Sequence, residues 1–416
     1  MKLAWLCNMT PGAVSRCRGT GGGGLWLDHV LDDLCTRQDV SMRLFCPGGT
    51  ETGRVDEKTD YVLFSEGAPQ SYRQQLEELF YGQLLDFQPD VIHTWGTEYG
   101  HTLAMVNAAQ RLGWENRVVI SIQGLCSSCA RHYCEGIPEA VCHRYTLRDF
   151  LKRDNLLGQQ KQFVRRGELE RQALEKVGHV IGRTDFDRAV TGQINPHRRY
   201  HFCNETLREG FYQDVWRYSG CKKHRIFLSS ALFPFKGAHY LLEAMPLVLA
   251  EFPDAEIAVT GDSFFKTALP DKLRQDYYHR YLARLAEKNR LRDRIHFLGA
   301  LSEQQMKQAF LDCNVFVLPS TIENSPNSLG EAMLLGVPCV AADVGGVSNM
   351  LHPGQGYVYQ STAPYMLAHY IAEVFRQQER AEEMGAQARL QALETHNPEK
   401  NMRDLLEIYR LIAEER

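Results

Sequence analysis

Two doubly wound, Rossmann-like α/β domains facing across a cleft are predicted for this chain by three observations. Short buried-strand segments alternate with helical ones along most of the sequence, the pattern of parallel sheets covered by helices on both faces. The alternation falls into two series, joined between about Asn204 and Lys223. The 416 residues also exceed what one core holds, which stops growing at about 250 to 300 residues.

In the first series the strands are expected at Met1 to Cys7, Val40 to Cys46, Val91 to His93, Val118 to Ile122 and His179 to Ile181. Helices fall between them, at Leu25 to Leu34, Tyr72 to Leu85, His101 to Arg111 and about Leu157 to Val177. The second series has strands at Arg225 to Leu228, Glu256 to Val259, Ile295 to Phe297, Val315 to Leu318 and Pro338 to Ala341. The domains are accordingly expected at residues 1–210 and 211–390, with a last helix, about Pro398 to Glu414, within residues 391–416. Ligands of such sheets bind at the carboxyl ends of strands.

Composition is that of a soluble globular protein, with 44% hydrophobic and 24% charged residues, and a net charge of −4 gives no sign of a nucleic-acid binder. No apolar run approaches the roughly 20 residues of a membrane span. The start MKLAWLCNM is too short and too soon interrupted for a secretion signal, so the cytosol is the expected address. Of twelve cysteines, Cys126, Cys129, Cys134 and Cys142 lie close together near His132 and His143. The first pair resembles half of a zinc ligand set, but no second C-x2-C follows, and reduced thiols are the expectation in a reducing compartment.

The densest chemistry lies in VFVLPSTIENSPNSLGEAMLLGVPCVAADVGGV, Val315 to Val347. It reads as a strand, a polar loop, a helix opened by Ser325 and Pro326, a second strand and a Gly-Gly turn. Proline is tolerated where its missing N–H would be unpaired anyway, so the amides of Asn327 and Ser328 are left to face an anion. Asn327, Ser328 and Glu331 share a helix face, while Glu323 sits back in the loop. At about 1.5 Å per residue Glu331 lies roughly 7 to 8 Å past the helix start. Amides are thus offered to a diphosphate, and one carboxylate to hydroxyls on either side of it, which is the layout of a nucleotide sugar. The plain alternative is an ordinary helix with two solvated glutamates.

A second glycine-rich stretch, GTGGGGLW, follows the first strand, and Gly19-x-Gly21-x-x-Gly24 formally fits the dinucleotide fingerprint. An NAD-dependent or sugar-nucleotide-modifying enzyme built on this loop is the alternative reading. Against it, the second strand ends RLFCPGG with no acid for a ribose 2′-hydroxyl, and no Tyr-x3-Lys pair is present. A non-catalytic binding module of the same fold is a third reading, opposed by Glu323 and Glu331 together with Lys236, which lies in the loop SSALFPFKGAH between the strand Arg225 to Leu228 and the next helix.

The strand ending in Pro-Ser, the E-x7-E-A-M, the G-x-P turn at Gly336 to Pro338 and Gly345-Gly346 together resemble the donor-binding segment of the retaining family 4 (group 1) glycosyltransferases. The resemblance runs over most of Ile226 to Gly356, through SSALFPFKGAH, FPDAEIAVTGD and RDRIHFLGAL. It implies the GT-B fold, with the last helix crossing back to the first domain. It also implies transfer, with retention, from a nucleotide-diphosphate sugar to a hydroxyl of a sugar or lipid-linked saccharide, as in bacterial polysaccharide or glycolipid synthesis. The place would be the cytoplasm or the inner face of the membrane, with peripheral membrane association, no cofactor, no metal and no nucleic acid.

By the same resemblance Lys236 binds the diphosphate and Glu323 orients the sugar, the two catalytic assignments, while Glu331 holds the ribose. Leu298, Gly299 and Leu301 lie by the nucleobase through backbone contacts, with Gly261 in the preceding turn. Gly23 and Gly24 lie against the donor phosphates. Departures are Pro326, where many members carry glycine, and Ala231, where many carry arginine; that second cation comes from elsewhere or is replaced by the hydroxyl of Ser229 or Ser230. On the acceptor side PDVIHTWGTEYGH sets Trp95, Glu98, Tyr99 and His101 beside a strand end. Gln123 stands where the family often has histidine, and Arg183 closes another strand end. Aromatic faces suit sugar rings, and a carboxylate or imidazole can take a hydroxyl proton.

Overall fold

The computed structural model describes residues 1–20, 26–266 and 268–415. Gly21, Gly23 and Gly24 of the glycine-rich loop lie outside the described residues. Two compact units emerge, one of residues 1–128, 162–208 and 395–416, the other of residues 129–161 and 209–394. Each is a parallel-sheet, Rossmann-like unit.

The first sheet holds β1 (Lys2–Leu6), β2 (Ser41–Pro47), β3 (Thr52–Arg54), β4 (Thr59–Phe64), β5 (Val91–Trp95), β6 (Val118–Ser121), β7 (His179–Gly182) and β8 (Arg199–Phe202). Their order is β3-β4-β2-β1-β5-β6-β7-β8, parallel throughout except for the short edge pair β3–β4. The side chains of β1 alternate between two cores. Leu3 and Trp5 join a cluster with Leu44, Leu31, Leu405 and Tyr409, whereas Ala4 and Leu6 join Phe45, Phe80, Ile92 and Ile120. Burial on both faces is what makes such strands read as unbroken apolar runs.

The last helix, Pro398–Glu414, covers the first of these cores through Met402, Leu405, Tyr409 and Ile412. Tyr409 fixes its register. Trp5 Nε1 donates to the Tyr409 hydroxyl (3.0 Å), and that hydroxyl lies 2.5 Å from His93 Nδ1. Burial pushes His93 down to about 3, so its ring is neutral. The Tyr409 hydroxyl then donates to Nδ1, and Nε2–H donates to Ser121 Oγ at 2.7 Å. Tyr409→Phe strands both Trp5 Nε1 and His93 Nδ1 in a dry core. A loss of about 1 to 3 kcal/mol per unpaired group is expected in chemical denaturation of the full chain.

The second sheet holds β9 (Arg225–Leu228), β10 (Glu256–Val259), β11 (Ile295–Phe297), β12 (Val315–Leu318), β13 (Cys339–Ala342) and β14 (Tyr357–Tyr359), ordered β11-β10-β9-β12-β13-β14 and all parallel. Strand order reverses at β9, between β10 and β12. The loops after β9 and β12 therefore leave in opposite directions and open a crevice at the carboxyl ends, the usual ligand position in such sheets.

Four strands were not expected from sequence. β3 has three residues, β14 follows a Gly-x-Gly loop, and β8 is a polar edge strand with one buried side chain. β4 begins in the charged run VDEKTD, which masks the buried YVLF behind it. Residues 129–161, placed by linear reading in the first domain, cluster instead with the second unit. Thr321 Oγ1 donates to His132 O (2.9 Å), and His239 Nε2 lies 3.1 Å from Glu135 O. All twelve cysteines are free thiols. Among the described residues no group of three or more His, Cys, Asp or Glu side chains is placed to hold a metal ion.

Candidate functional site

At the strand-order reversal of the second sheet, the loop after β9 ends in a 3-10 turn, Pro234–Lys236, followed by Gly237 at φ 70°. A Cβ at Gly237 would stand 1.8 Å from Pro319 O, so only glycine lets this loop lie against the one after β12. Thr321 N donates to Phe235 O (2.8 Å) across the same contact. The outcome is an ion pair between residues 87 positions apart: Lys236 Nζ to Glu323 Oε1, 2.6 Å. The same oxygen accepts from Ser320 Oγ at 2.7 Å, and Gly346 N donates to Glu323 O at 3.1 Å. Three strand-end loops thus hold Glu323, and its side chain is 10% exposed against 29% for Lys236.

The helix Asn327–Leu335 begins four residues on, with Pro326 as its N-cap. Its first bonded amides are those of Leu329 and Gly330, which donate to Pro326 O at 3.0 and 3.3 Å. The amides of Asn327 and Ser328 stand ahead of the hydrogen-bonded ladder, at the positive end of the helix dipole. Both residues are half-buried, and Glu331, one turn further, is buried. Sequence placed the proline one position later, as the first helical residue; the free amides follow either way, because a proline N-cap also supplies no side-chain acceptor.

Along the other limb of the β9 loop lies a cavity of about 830 Å³ at the ends of β9, β10 and β11, lined by Ser230, Gly261, Gly299 and Leu301. Pockets for small ligands span roughly 300 to 1,000 Å³. Gly261 and Gly299 close its floor by exchanging backbone bonds, 2.9 and 3.2 Å, at φ 92° and 70°. Leu298, expected beside them, is not part of the lining: its N–H continues the sheet ladder to Val259 O (2.9 Å). Sequence missed Asp262, Phe264, Lys266, Arg274 and His279, which complete the wall. They occupy a loop and two helices after β10 that carry no motif; the position after a strand end was the available signal. Lys266 and Arg274 are cations in this wall, which the absence of an arginine at Ala231 had left unassigned.

In the first unit the residues expected on the acceptor side separate into three environments. Trp95 is core: its ring stacks on His93 (3.9 Å between centroids) and packs edge-on with Trp5 and Trp26. Its buried Nε1 has no partner among the described residues, and Trp95 is among the residues lining a void of about 20 Å³. This is a correction to the expectation of an open aromatic face.

Glu98, Tyr99 and His101 form the second group. Burial lowers His101 to about 3, and its Nε2 lies 2.8 Å from Asn8 Oδ1. Asn8 Nδ2 donates to Glu98 Oε2 (2.9 Å), and Gly124 N donates to Glu98 Oε1 (2.9 Å). Tyr99 stacks flat on His101 at 5.1 Å. This chain of contacts ties the ends of β1, β5 and β6 together. Burial raises the Glu98 carboxyl from 4.5 to about 7.

Between those values the folded protein keeps a proton that the unfolded chain releases. Stability from Glu98 is therefore fully present below about pH 4.5 and is lost as pH rises through about 7. His101, depressed by burial, acts in the opposite direction below 6.5, so the difference between wild type and Glu98→Gln isolates the carboxyl. Denaturation midpoints of the two should diverge between pH 5 and 8 in favour of the variant; parallel profiles would refute the raised carboxyl.

The third group is buried and self-satisfied. Arg183 pairs with Glu205, a residue not singled out from sequence, and Gln123 Nε2 donates to the other Glu205 oxygen at 2.5 Å. The Arg183 charge is neutralised internally, and Gln123 remains half-buried at its edge.

Residues 219–391 match the sequence profile of the family described as glycosyl transferases group 1. A GDP-mannose-dependent monoacylated alpha-(1-6)-phosphatidylinositol monomannoside mannosyltransferase of Corynebacterium glutamicum is 29% identical over 171 residues, 39% of this chain and 41% of that protein. The gpi3 subunit of a phosphatidylinositol N-acetylglucosaminyltransferase of Schizosaccharomyces pombe is 26% identical over 42% of this chain and 35% of its own length. The chain thus spans about two fifths of the length of the curated relatives it matches. Among solved structures, sucrose-phosphate synthase from Thermosynechococcus elongatus superposes with a TM-score of 0.71 at 16% identity, covering 100% of both chains. Anabaena HepE in complex with UDP and glucose gives 0.66 at 17% identity, over 98% of this chain and 99% of that one. At such identities the likeness establishes the fold, which is GT-B.

Proposed function

We propose that the chain is a retaining glycosyltransferase that moves a sugar from a nucleotide-diphosphate donor to a hydroxyl of a saccharide or glycolipid acceptor. The observation that carries the reading is the Lys236–Glu323 ion pair, set 2.6 Å apart beside the free amides that open the helix Asn327–Leu335. In this reading the pair is the resting state. An incoming diphosphate draws the ammonium away from Glu323 and takes the amides of Asn327 and Ser328 as further donors. Charge grows on the departing diphosphate as the glycosidic bond breaks, and donors fixed in advance stabilise that charge without reorganising.

Glu323, released, accepts from sugar hydroxyls, and Glu331 from the ribose. The cavity floored by Gly261 and Gly299 takes the nucleobase, with Lys266 and Arg274 as the additional cations of its wall. Acceptor binding is assigned to Glu98, Tyr99 and His101, where Glu98 is the group with a carboxyl near 7. The profile match over residues 219–391, the region of Lys236, Glu323 and Glu331, supports the class of reaction. The NAD reading is not favoured, because the profile matched over residues 219–391 is that of glycosyl transferases.

A panel of UDP, GDP, ADP, their sugars and NAD tested by thermal shift distinguishes the readings. A ligand at about 100 times its dissociation constant stabilises by roughly 2.7 kcal/mol. One nucleoside diphosphate and its sugar are expected to raise the melting temperature. A response to NAD alone would overturn the proposal.

A further inference from the structure

Two short helices of the second unit, Leu147–Lys152 and Leu269–Arg274, pack side by side with their polarity inverted. Asp149 is fully buried beneath them, accepting from Thr146 N (3.0 Å), Arg148 (3.0 Å) and Tyr277 N (2.9 Å). Among the side chains turned outward, large apolar ones stand beside charged ones. Phe150 is 70% exposed, Leu151 71%, Leu269 70%, with Tyr145, Leu147 and Leu273 also exposed. An ordinary surface helix does the reverse, burying its apolar stripe and solvating its charges. Contiguous exposed apolar side chains of this kind mark an interaction surface.

The rim of the patch decides which partner fits. Arg144, Lys152, Arg153 and Lys272 are exposed on or next to the two helices in the chain, and Asp271 is the exposed acid on the two helices. Pairing with a second copy would set these cations against their own kind. An apolar centre ringed by lysine and arginine is instead the composition of an interfacial anchor on anionic lipid. Among the described residues no helix is long and apolar enough to cross a membrane. Asp149 and its hydrogen bonds hold the platform from beneath, which keeps Phe150 and Leu151 presented without a partner of their own.

We propose that this platform docks the second unit on the surface of an anionic bilayer. Phe150, Leu151 and Leu269 enter the boundary between head groups and acyl chains, and Lys152, Arg153 and Lys272 meet lipid phosphates. The inference stands on the exposed patch and does not depend on the transfer reading. The test is co-sedimentation of the full chain with vesicles of phosphatidylcholine, alone or mixed with phosphatidylglycerol. Binding is expected with the mixed vesicles and to weaken with salt.

Phe150→Ser with Leu151→Ser should lower that partitioning about tenfold or more, given what burial of such side chains contributes. Lys152→Glu with Arg153→Glu should remove the preference for phosphatidylglycerol. Because these positions are solvent-facing, melting temperatures should stay at the wild-type value, which separates lost docking from lost folding. Phe150→Trp supplies a second readout, a blue-shifted emission when mixed vesicles are added. Equal sedimentation of wild type and the serine variant would overturn the proposal, as would no sedimentation with mixed vesicles. A dimer in solution that the serine variant abolishes would assign the patch to a second copy instead.

Discussion

Lys236→Ala is expected to lower sugar transfer by about 10² to 10³ in turnover, the range found when one preorganised donor to a developing anion is removed. Two features make the effect large. The ammonium is the cation that the short turn before Gly237 delivers to Glu323, four residues ahead of the helix Asn327–Leu335, and Glu323 is held by Ser320 and Gly346 whether or not lysine is present. The variant leaves that carboxylate without its cation at the place proposed for the diphosphate, so repulsion adds to the missing attraction. Since the lysine side chain is partly solvent-exposed, the melting temperature without ligand should change little. A variant with normal turnover would show that charge on the leaving group is stabilised elsewhere.

Gly237→Ala is expected to damage both folding and donor binding. The left-handed backbone at φ 70° disfavours any side chain, and the added methyl would meet Pro319 O at 1.8 Å. A contact that close to backbone forces the two loops apart, because no flexible side chain is available to yield. Separation of the loops also breaks the Thr321 to Phe235 bond and withdraws Lys236 from Glu323. Strain of about 1 to 3 kcal/mol in the native state is the scale for such a residue. It should appear as a lower denaturation midpoint together with weaker nucleotide binding. By contrast, Gly261→Ala has open space at its Cβ but the same backbone penalty at φ 92°, so its effect should be confined to the cavity floor and be milder.

Strands buried on both faces, such as RIFL and VFVL in the second sheet, are continuous apolar runs, and their places could be read directly from sequence. The polar edge strand Arg199–Phe202 could not, because its identity as a strand comes from pairing with β7 rather than from its own pattern. The same distinction runs through the site. Glu323, Asn327, Ser328 and Glu331 belong to one continuous stretch, so their spacing alone places them around a helix start. Lys236 needed only the strand-to-helix loop that contains it and took its role from the resemblance, whereas its ion pair with Glu323, 87 residues away, is set by the fold.

Other features depend on chain segments remote in sequence. Trp95 resembled a sugar platform until Trp5, Trp26 and His93 closed around it. Arg183 was expected at a strand end on the acceptor side, and Glu205 neutralises it. Lys266 and Arg274 carry no signature, because the wall they form is assembled by the path of the chain after β10. Residues 129–161 show the limit most plainly, since a segment embedded in the first series of strands contributes to the second compact unit.

The most direct test of the site is a calorimetric titration of the nucleoside diphosphate found in the ligand panel, and of its parent nucleoside, into wild type and Lys236→Ala. A charge-assisted hydrogen bond contributes about 1.5 to 3 kcal/mol. The variant should therefore bind the diphosphate about ten- to 150-fold more weakly and the nucleoside equally well. Equal affinity of the two proteins for the diphosphate would contradict the placement of the pyrophosphate between Lys236 and the start of the helix Asn327–Leu335.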